Sequence, residues 1–194
     1  MAEALIVIDV QNIYTNEDSD LFVKGNGKVI SNINKLILSF KKSGKLVVFV
    51  KHQHKKDLSD LGRMFDFAGP SEETQFIADE NETDFDQRLR IEKKDIVITK
   101  TRYDAFEKTK LQQILKKYGI DKVVICGFMT NFCCETTART AHSKDYFVDF
   151  VVDATGTPGT EMHSPNQTIK ATVATLSSGF AVVKKTNDIV EANK

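Results

Sequence analysis

Lys122-Val123-Val124-Ile125-Cys126-Gly127-Phe128-Met129-Thr130-Asn131-Phe132-Cys133-Cys134-Glu135-Thr136-Thr137-Ala138-Arg139 is the stretch whose reading decides the fold. It opens with apolar, largely β-branched residues on consecutive positions. That is the pattern of a strand buried on both faces, as in a parallel sheet covered by helices. A glycine-containing turn follows, and Thr136 to His142 then runs at helical spacing. Working outward, the same alternation covers the chain. Strands are expected at Leu5 to Asp9, Leu46 to Val50, Asp95 to Thr99, Lys122 to Cys126, Phe147 to Val152 and Phe180 to Val183. Between them, Val29, Ile30, Ile33, Leu36, Ile37 and Phe40 recur at helical spacing ahead of Gly44. Leu111, Ile114, Leu115 and Tyr118 do so ahead of Gly119, and Ile169 to Leu176 carries another such pattern. Strand–helix alternation of this kind predicts a doubly wound α/β fold. With no linker and no repeat, residues 1–194 read as one domain.

Composition sets the outer limits. A chain of 194 residues buries roughly 70% of its unfolded surface and needs no disulfide staples. Lys plus Arg and Asp plus Glu are both 27, so the formal charge is zero. That argues against a nucleic-acid binder or a polybasic membrane binder. No apolar run reaches bilayer length. The N-terminus, Met1-Ala2-Glu3-Ala4, has no basic region ahead of a short apolar stretch, which predicts a cytoplasmic protein. Three cysteines, two of them adjacent, make no disulfide framework. From Ser71 to Asp86 there are seven acidic residues and no basic ones. The expectation there is a solvated loop with a short helix, the alternative a lid or a subunit contact. Lys51, Lys55 and Lys56 are placed to balance part of its charge.

In an open parallel sheet, ligands bind at the carboxyl ends of the strands. Three reactive side chains fall there: Asp9 at the end of the first strand, Lys100 directly after the third, and Cys133 in the turn after the fourth. Asp9 alone also suits a loop cap or a phosphoacceptor, but phosphatases of that type use Asp-x-Asp and position 11 is Gln. Lys100 alone suits a solvated surface, and Cys133 a small buried hydrophobe. Together they form a chemical unit. A cysteine nucleophile needs a base, and backbone N–H groups before a helix supply an oxyanion site. The helix end lowers a thiol's pKa, and a lysine favours the charged forms of both partners. Gly25-Asn26-Gly27-Lys28 is no phosphate loop, since positions 22 and 29 are Phe and Val.

These residues carry a family resemblance. Leu5-Ile6-Val7-Ile8-Asp9-Val10-Gln11-Asn12, Thr99-Lys100-Thr101-Arg102-Tyr103-Asp104-Ala105-Phe106 and Gly127 to Arg139 are similar to motifs of the isochorismatase-like cysteine hydrolases. That superfamily includes nicotinamidases, N-carbamoylsarcosine amidases and ureidoacrylate amidases. Val151-Val152-Asp153-Ala154 is a fourth, weaker match. The resemblance implies a six-stranded parallel sheet in a three-layer α/β/α arrangement. It also implies the catalytic residues Asp9, Lys100 and Cys133, a cis peptide between Phe128 and Met129, and an oxyanion hole from the N–H groups of Met129 and Cys133. Gln11, Tyr14 and Phe132, in or beside the matched motifs, are placed in the substrate pocket. A homo-oligomer, dimer or tetramer, is a further expectation carried over from the family.

Departures from the family shape the rest. Nicotinamidases hold a divalent metal with an Asp-x-His pair and further histidines. Here the comparable stretch is Lys51-His52-Gln53-His54, no Asp opens it, and the chain has only four histidines. No metal and no cofactor are therefore expected, and His52 and His54 are read as solvated or substrate-lining. Isochorismatases of this fold cleave a vinyl ether without the cysteine, so Cys133 points to a small-molecule amide, carbamoyl or ureido substrate. The alternatives are a non-catalytic binding member of the fold and a vinyl ether or ester hydrolase.

Overall fold

The computed structural model describes residues 1–64 and 75–194. Six parallel strands, β1 (Glu3–Ile8), β2 (Leu46–His52), β3 (Ile96–Lys100), β4 (Lys122–Phe128), β5 (Phe147–Gly156) and β6 (Val182–Lys184), form one sheet. Their order is β3-β2-β1-β4-β5-β6. The chain winds outward from β1 in one direction, then returns and winds from β4 in the other. The order therefore reverses between β1 and β4, and a crevice opens beyond the carboxyl ends of those two strands.

Among the described residues, six helices flank the sheet: α1 (Asn12–Thr15), α2 (Asn26–Lys42), α3 (Leu111–Lys117), α4 (Glu135–Ser143), α5 (Pro165–Ser177) and α6 (Thr186–Ala192). A five-residue π-turn, Thr130–Cys134, leads directly into α4. The consecutive apolar residues of the strands divide by the two-residue period of a strand. Leu5 and Val7 of β1 join the core beneath α2 and α6, with Ile30, Ile33, Leu36, Ile37, Phe40 and Ile189. Ala4, Ile6 and Ile8 join the opposite core, with Leu111, Leu115, Ala138, Ala141 and Leu176. Helices thus cover both faces of the sheet. Ser164 starts α5 with a reciprocal capping box to Gln167 and Pro165 in its first turn. Among the described residues, no helix is long and apolar enough to cross a membrane.

All six strands differ from expectation at one end or both, and for two of them the physical reason is visible. β5 runs on to Gly156 because pairing with β4 resumes past a register shift between Ile125 and Gly127. β6 begins at Val182, since the backbone N–H groups of Phe180 and Ala181 turn back to the Leu176 carbonyl. Gly127 has φ +124°, and a Cβ there would lie 1.9 Å from the Ile8 carbonyl oxygen. Only glycine fits where β4 passes this close to β1. Of the acidic segment, Ser71 to Thr74 lie outside the described residues. The rest holds a 3₁₀ turn at Asn81–Thr83, but it is not simply solvated, because Phe76, Thr83 and Asp86 are buried. Lys51 and Lys56 do offset its charge, pairing with Asp84 at 3.3 Å and Asp79 at 2.9 Å.

Candidate active site

Strand topology brings Asp9, Lys100 and Cys133 together. Asp9 follows the last residue of β1 with φ +49°, a left-handed conformation that aspartate tolerates better than most residues. Its N–H donates to the Val50 carbonyl at 2.9 Å, which fixes the turn against β2. Lys100 is the last residue of β3, inside the strand rather than after it. Cys133 sits in the π-turn after β4, not in the first turn of an ordinary α-helix.

Lys100 Nζ lies 2.8 Å from Asp9 Oδ2 and donates to Cys133 Sγ at 3.2 Å and to the Arg102 carbonyl at 2.9 Å. Two of its three protons are therefore engaged in hydrogen bonds. Lys100 and Cys133 are 1% exposed and Asp9 is fully buried, so the lysine is not a solvated surface residue. Neither Asp9 oxygen meets a donor at a good hydrogen-bonding angle, so the contact with Lys100 is an ion pair and both oxygens keep room for a proton. The Phe128–Met129 peptide bond is cis. Among the described residues, no carbonyl accepts from the Met129 N–H.

Burial governs the charges. It pushes Asp9 above the usual carboxylate range, with the Lys100 charge pulling the other way. Burial alone would lower Lys100, but Asp9 and then Cys133 hold it above the usual lysine range. The Cys133 thiol is pushed up to about 12, burial outweighing Lys100. This corrects the expectation of a lowered thiol pKa, because removal from water costs the thiolate more than the nearby ammonium returns. The resting residue is a neutral thiol.

The pocket residues divide. Tyr14 is 1% exposed and stacks on Phe128, with centroids 5.6 Å apart. Burial raises its phenol pKa first, and then the Cys133 and Asp9 charges, which places it beside them. Phe132 is partly buried and lies against Tyr103 at 5.2 Å. Gln11 has no free amide group to offer a ligand. Its Nε2 donates to the His52 and Thr83 carbonyls, and its Oε1 accepts from the His52 N–H, all within 2.9 Å. It clamps the end of β2 to the Asn81–Thr83 turn. Tyr103 and Phe76 were not singled out from the sequence. The matched motif containing Tyr103 held a signal for the first. Nothing local marked Phe76, whose ring stacks on His52 at 4.3 Å.

His52 and His54 are both 1% exposed, so the solvated alternative for them is overturned. Their Nε2 atoms meet at 3.1 Å, and His54 Nδ1 faces Asp60 Oδ1 at 3.4 Å. Among the described residues, the divalent metal held by nicotinamidases does not fit this set. The pair contributes two nitrogens, whereas a catalytic metal site takes three protein ligands. Among the described residues, the one cluster of three potential ligands is Asp9, His52 and Cys133, within 4.8 Å of one another. The Lys100 ammonium already stands between the acid and the thiol, and a second cation there would be repelled.

Comparison with known proteins identifies the family to which the chain belongs. Residues 3–184 match the family model described as the isochorismatase domain. The chain is 33% identical over 180 residues to "Nicotinamidase 3" of Arabidopsis thaliana, covering 92% of this chain and 82% of the relative. It is 28% identical over 207 residues to "Ureidoacrylate amidohydrolase RutB" of Pantoea ananatis, covering 97% and 81%. A cysteine hydrolase from Pseudomonas syringae pv. phaseolicola superposes with a TM-score of 0.89 at 26% identity, covering 99% of this chain and 93% of that one. With the domain model spanning nearly its full length and relatives of this similarity, the chain belongs to the isochorismatase family of hydrolases.

Proposed function

We propose that this protein is a cysteine-dependent hydrolase of a small-molecule amide, carbamoyl or ureido C–N bond, working through a thioester. The observation that carries the reading is the Lys100 ammonium, 2.8 Å from Asp9 and 3.2 Å from Cys133, buried with both at the point where strand order reverses. Burying three ionisable groups is costly unless they act as a unit. The names borne by the Arabidopsis and Pantoea relatives, both acting on C–N bonds, favour the same chemistry.

With the thiol neutral at rest, attack and deprotonation go together. Cys133 Sγ bonds to the carbonyl carbon while its proton passes to Asp9, whose raised pKa suits it to hold that proton. The carbonyl oxygen becomes an oxyanion, received by the N–H groups of Met129 and Cys133. Asp9 then gives the proton to the departing nitrogen as the C–N bond breaks. Water, deprotonated by Asp9, attacks the thioester. The proton returns to the departing sulfur, leaving the acid and the thiol. Lys100 keeps its charge throughout and orients both partners.

The test is ammonia release from a panel of nicotinamide, N-carbamoyl and ureido compounds by the wild type and by Cys133→Ser. Release by the wild type alone supports the reading. Release from none, by either protein, overturns it in favour of a binding member of the fold or a hydrolase of a vinyl ether or ester.

A further inference from the structure

His52 has a buried, unpartnered ring nitrogen and lies close to the proposed nucleophile. Its Nδ1 is buried and has no hydrogen-bond partner, while its Nε2 meets His54. A ring nitrogen of His52 lies within 4.8 Å of both an Asp9 oxygen and Cys133 Sγ. The ring itself is fixed. Phe76 stacks on it at 4.3 Å with 13° between planes, Gln11 binds both its N–H and its carbonyl, and β2–β3 pairing sets it beside Lys100.

Its tautomer follows from the neighbours. His54 Nδ1 faces the Asp60 carboxylate, which only accepts, so that nitrogen carries the hydrogen. Burial holds both imidazoles below the usual histidine range and therefore neutral. His54 Nε2 is then bare and accepts from His52 Nε2–H. His52 Nδ1 is left as a lone pair. The reverse assignment would set the bare Nδ1 of His54 against the carboxylate.

A planar substrate carbonyl over Cys133 has three substituents to place. Its oxygen goes to the Met129 and Cys133 N–H groups, and its leaving nitrogen goes to Asp9. The third substituent faces the remaining corner of the triangle, which is His52. A carbon there leaves the buried Nδ1 without a partner, at a cost; an N–H satisfies it. We propose that His52 is a specificity-determining residue whose Nδ1 accepts a hydrogen bond from an N–H attached directly to the scissile carbonyl, selecting ureido and N-carbamoyl compounds over carboxamides. This rests on the roles proposed above for Asp9 and Cys133.

Matched probes isolate the contact. N-carbamoylglycine and succinamic acid differ by one N–H in place of one CH₂, as do methylurea and propionamide. The readout is the ratio of kcat/KM within each pair, so intrinsic reactivity cancels between proteins. His52→Phe keeps the stack on Phe76 and removes the acceptor, and should lower the ureido-over-amide ratio about tenfold. His52→Asn, whose side-chain oxygen reaches the Nδ1 position, should restore part of it. A ratio unmoved by His52→Phe overturns the proposal. Imidazole ¹⁵N shifts in Cys133→Ala read the contact without turnover. Nδ1 of His52 should be unprotonated and should shift more with N-carbamoylglycine than with succinamic acid. A protonated Nδ1, or equal shifts, also overturns it. Absence of turnover with the expected shifts would sink the hydrolytic reading and leave this one standing.

Discussion

Replacing Lys100 with methionine tests the site at its centre. The substitution keeps length and packing and removes a charge 2.8 Å from Asp9. Two unit charges at that distance attract by about 6 kcal/mol at an effective dielectric of about 20. At 1.36 kcal/mol per pH unit, that is a ceiling of about four units on the Asp9 pKa. Burial already holds Asp9 above the usual carboxylate range, and Lys100 opposes it. Without Lys100, burial acts unopposed and the pKa moves further up. Activity that needs the carboxylate then acquires a more alkaline acid limb. The assay is kcat/KM for ammonia release against pH, with a shift of two units or more expected. Stability gives an independent reading. A carboxyl with a raised folded pKa contributes stability that is complete below its unfolded pKa and is lost as pH rises through the folded one. Lys100→Met should therefore lose more thermal stability than the wild type as pH rises from acid towards neutrality. If the acid limb and the pH dependence of Tm both stay within about half a unit of wild type, Asp9 does not depend on Lys100 and the reasoning fails.

Three further outcomes are expected. Asp9→Asn should cut turnover by about 100- to 10,000-fold with an unchanged circular dichroism spectrum, the usual cost of a lost general base; activity within threefold of wild type would remove Asp9 from the mechanism. Limiting iodoacetamide should modify Cys133 before Cys134, slowly at neutral pH because burial raises both thiols, with activity lost in step as read by peptide mass spectrometry. Activity should survive exhaustive EDTA treatment; loss restored by Zn²⁺ or Fe²⁺ would show that the His52–His54 pair holds a metal after all.

The sheet was legible because several strands carry apolar residues on consecutive positions, the pattern of two-sided burial that β1, β2 and β4 show. That Asp9, Lys100 and Cys133 come together was legible because strand ends and motif spacing mark them. The thiol's state was not, since it depends on how far Cys133 is removed from water, a property of the packed site. Gln11 looked like a pocket residue because it neighbours Asp9 in sequence. That its amide is consumed by His52 and Thr83, 41 and 72 residues away, becomes visible only once β1 and β2 lie side by side. Phe76 was invisible for the same reason. α6 escaped notice because it is short and buries only Thr186 and Ile189.

The position of Lys100 has one more consequence. The acid hangs from β1 and the thiol follows β4, both in the middle of the sheet, but the ammonium arrives on β3, which has a single neighbouring strand. An edge strand of five residues is among the first elements to open, well before the interior loses its contacts. Each such opening withdraws the cation from two groups that stay where they were. On the proposed mechanism, catalytic competence is thus tied to an edge of the sheet rather than to its centre. In rising urea, turnover should disappear while the circular dichroism of the helices is still native, an enzyme disarmed before it is unfolded.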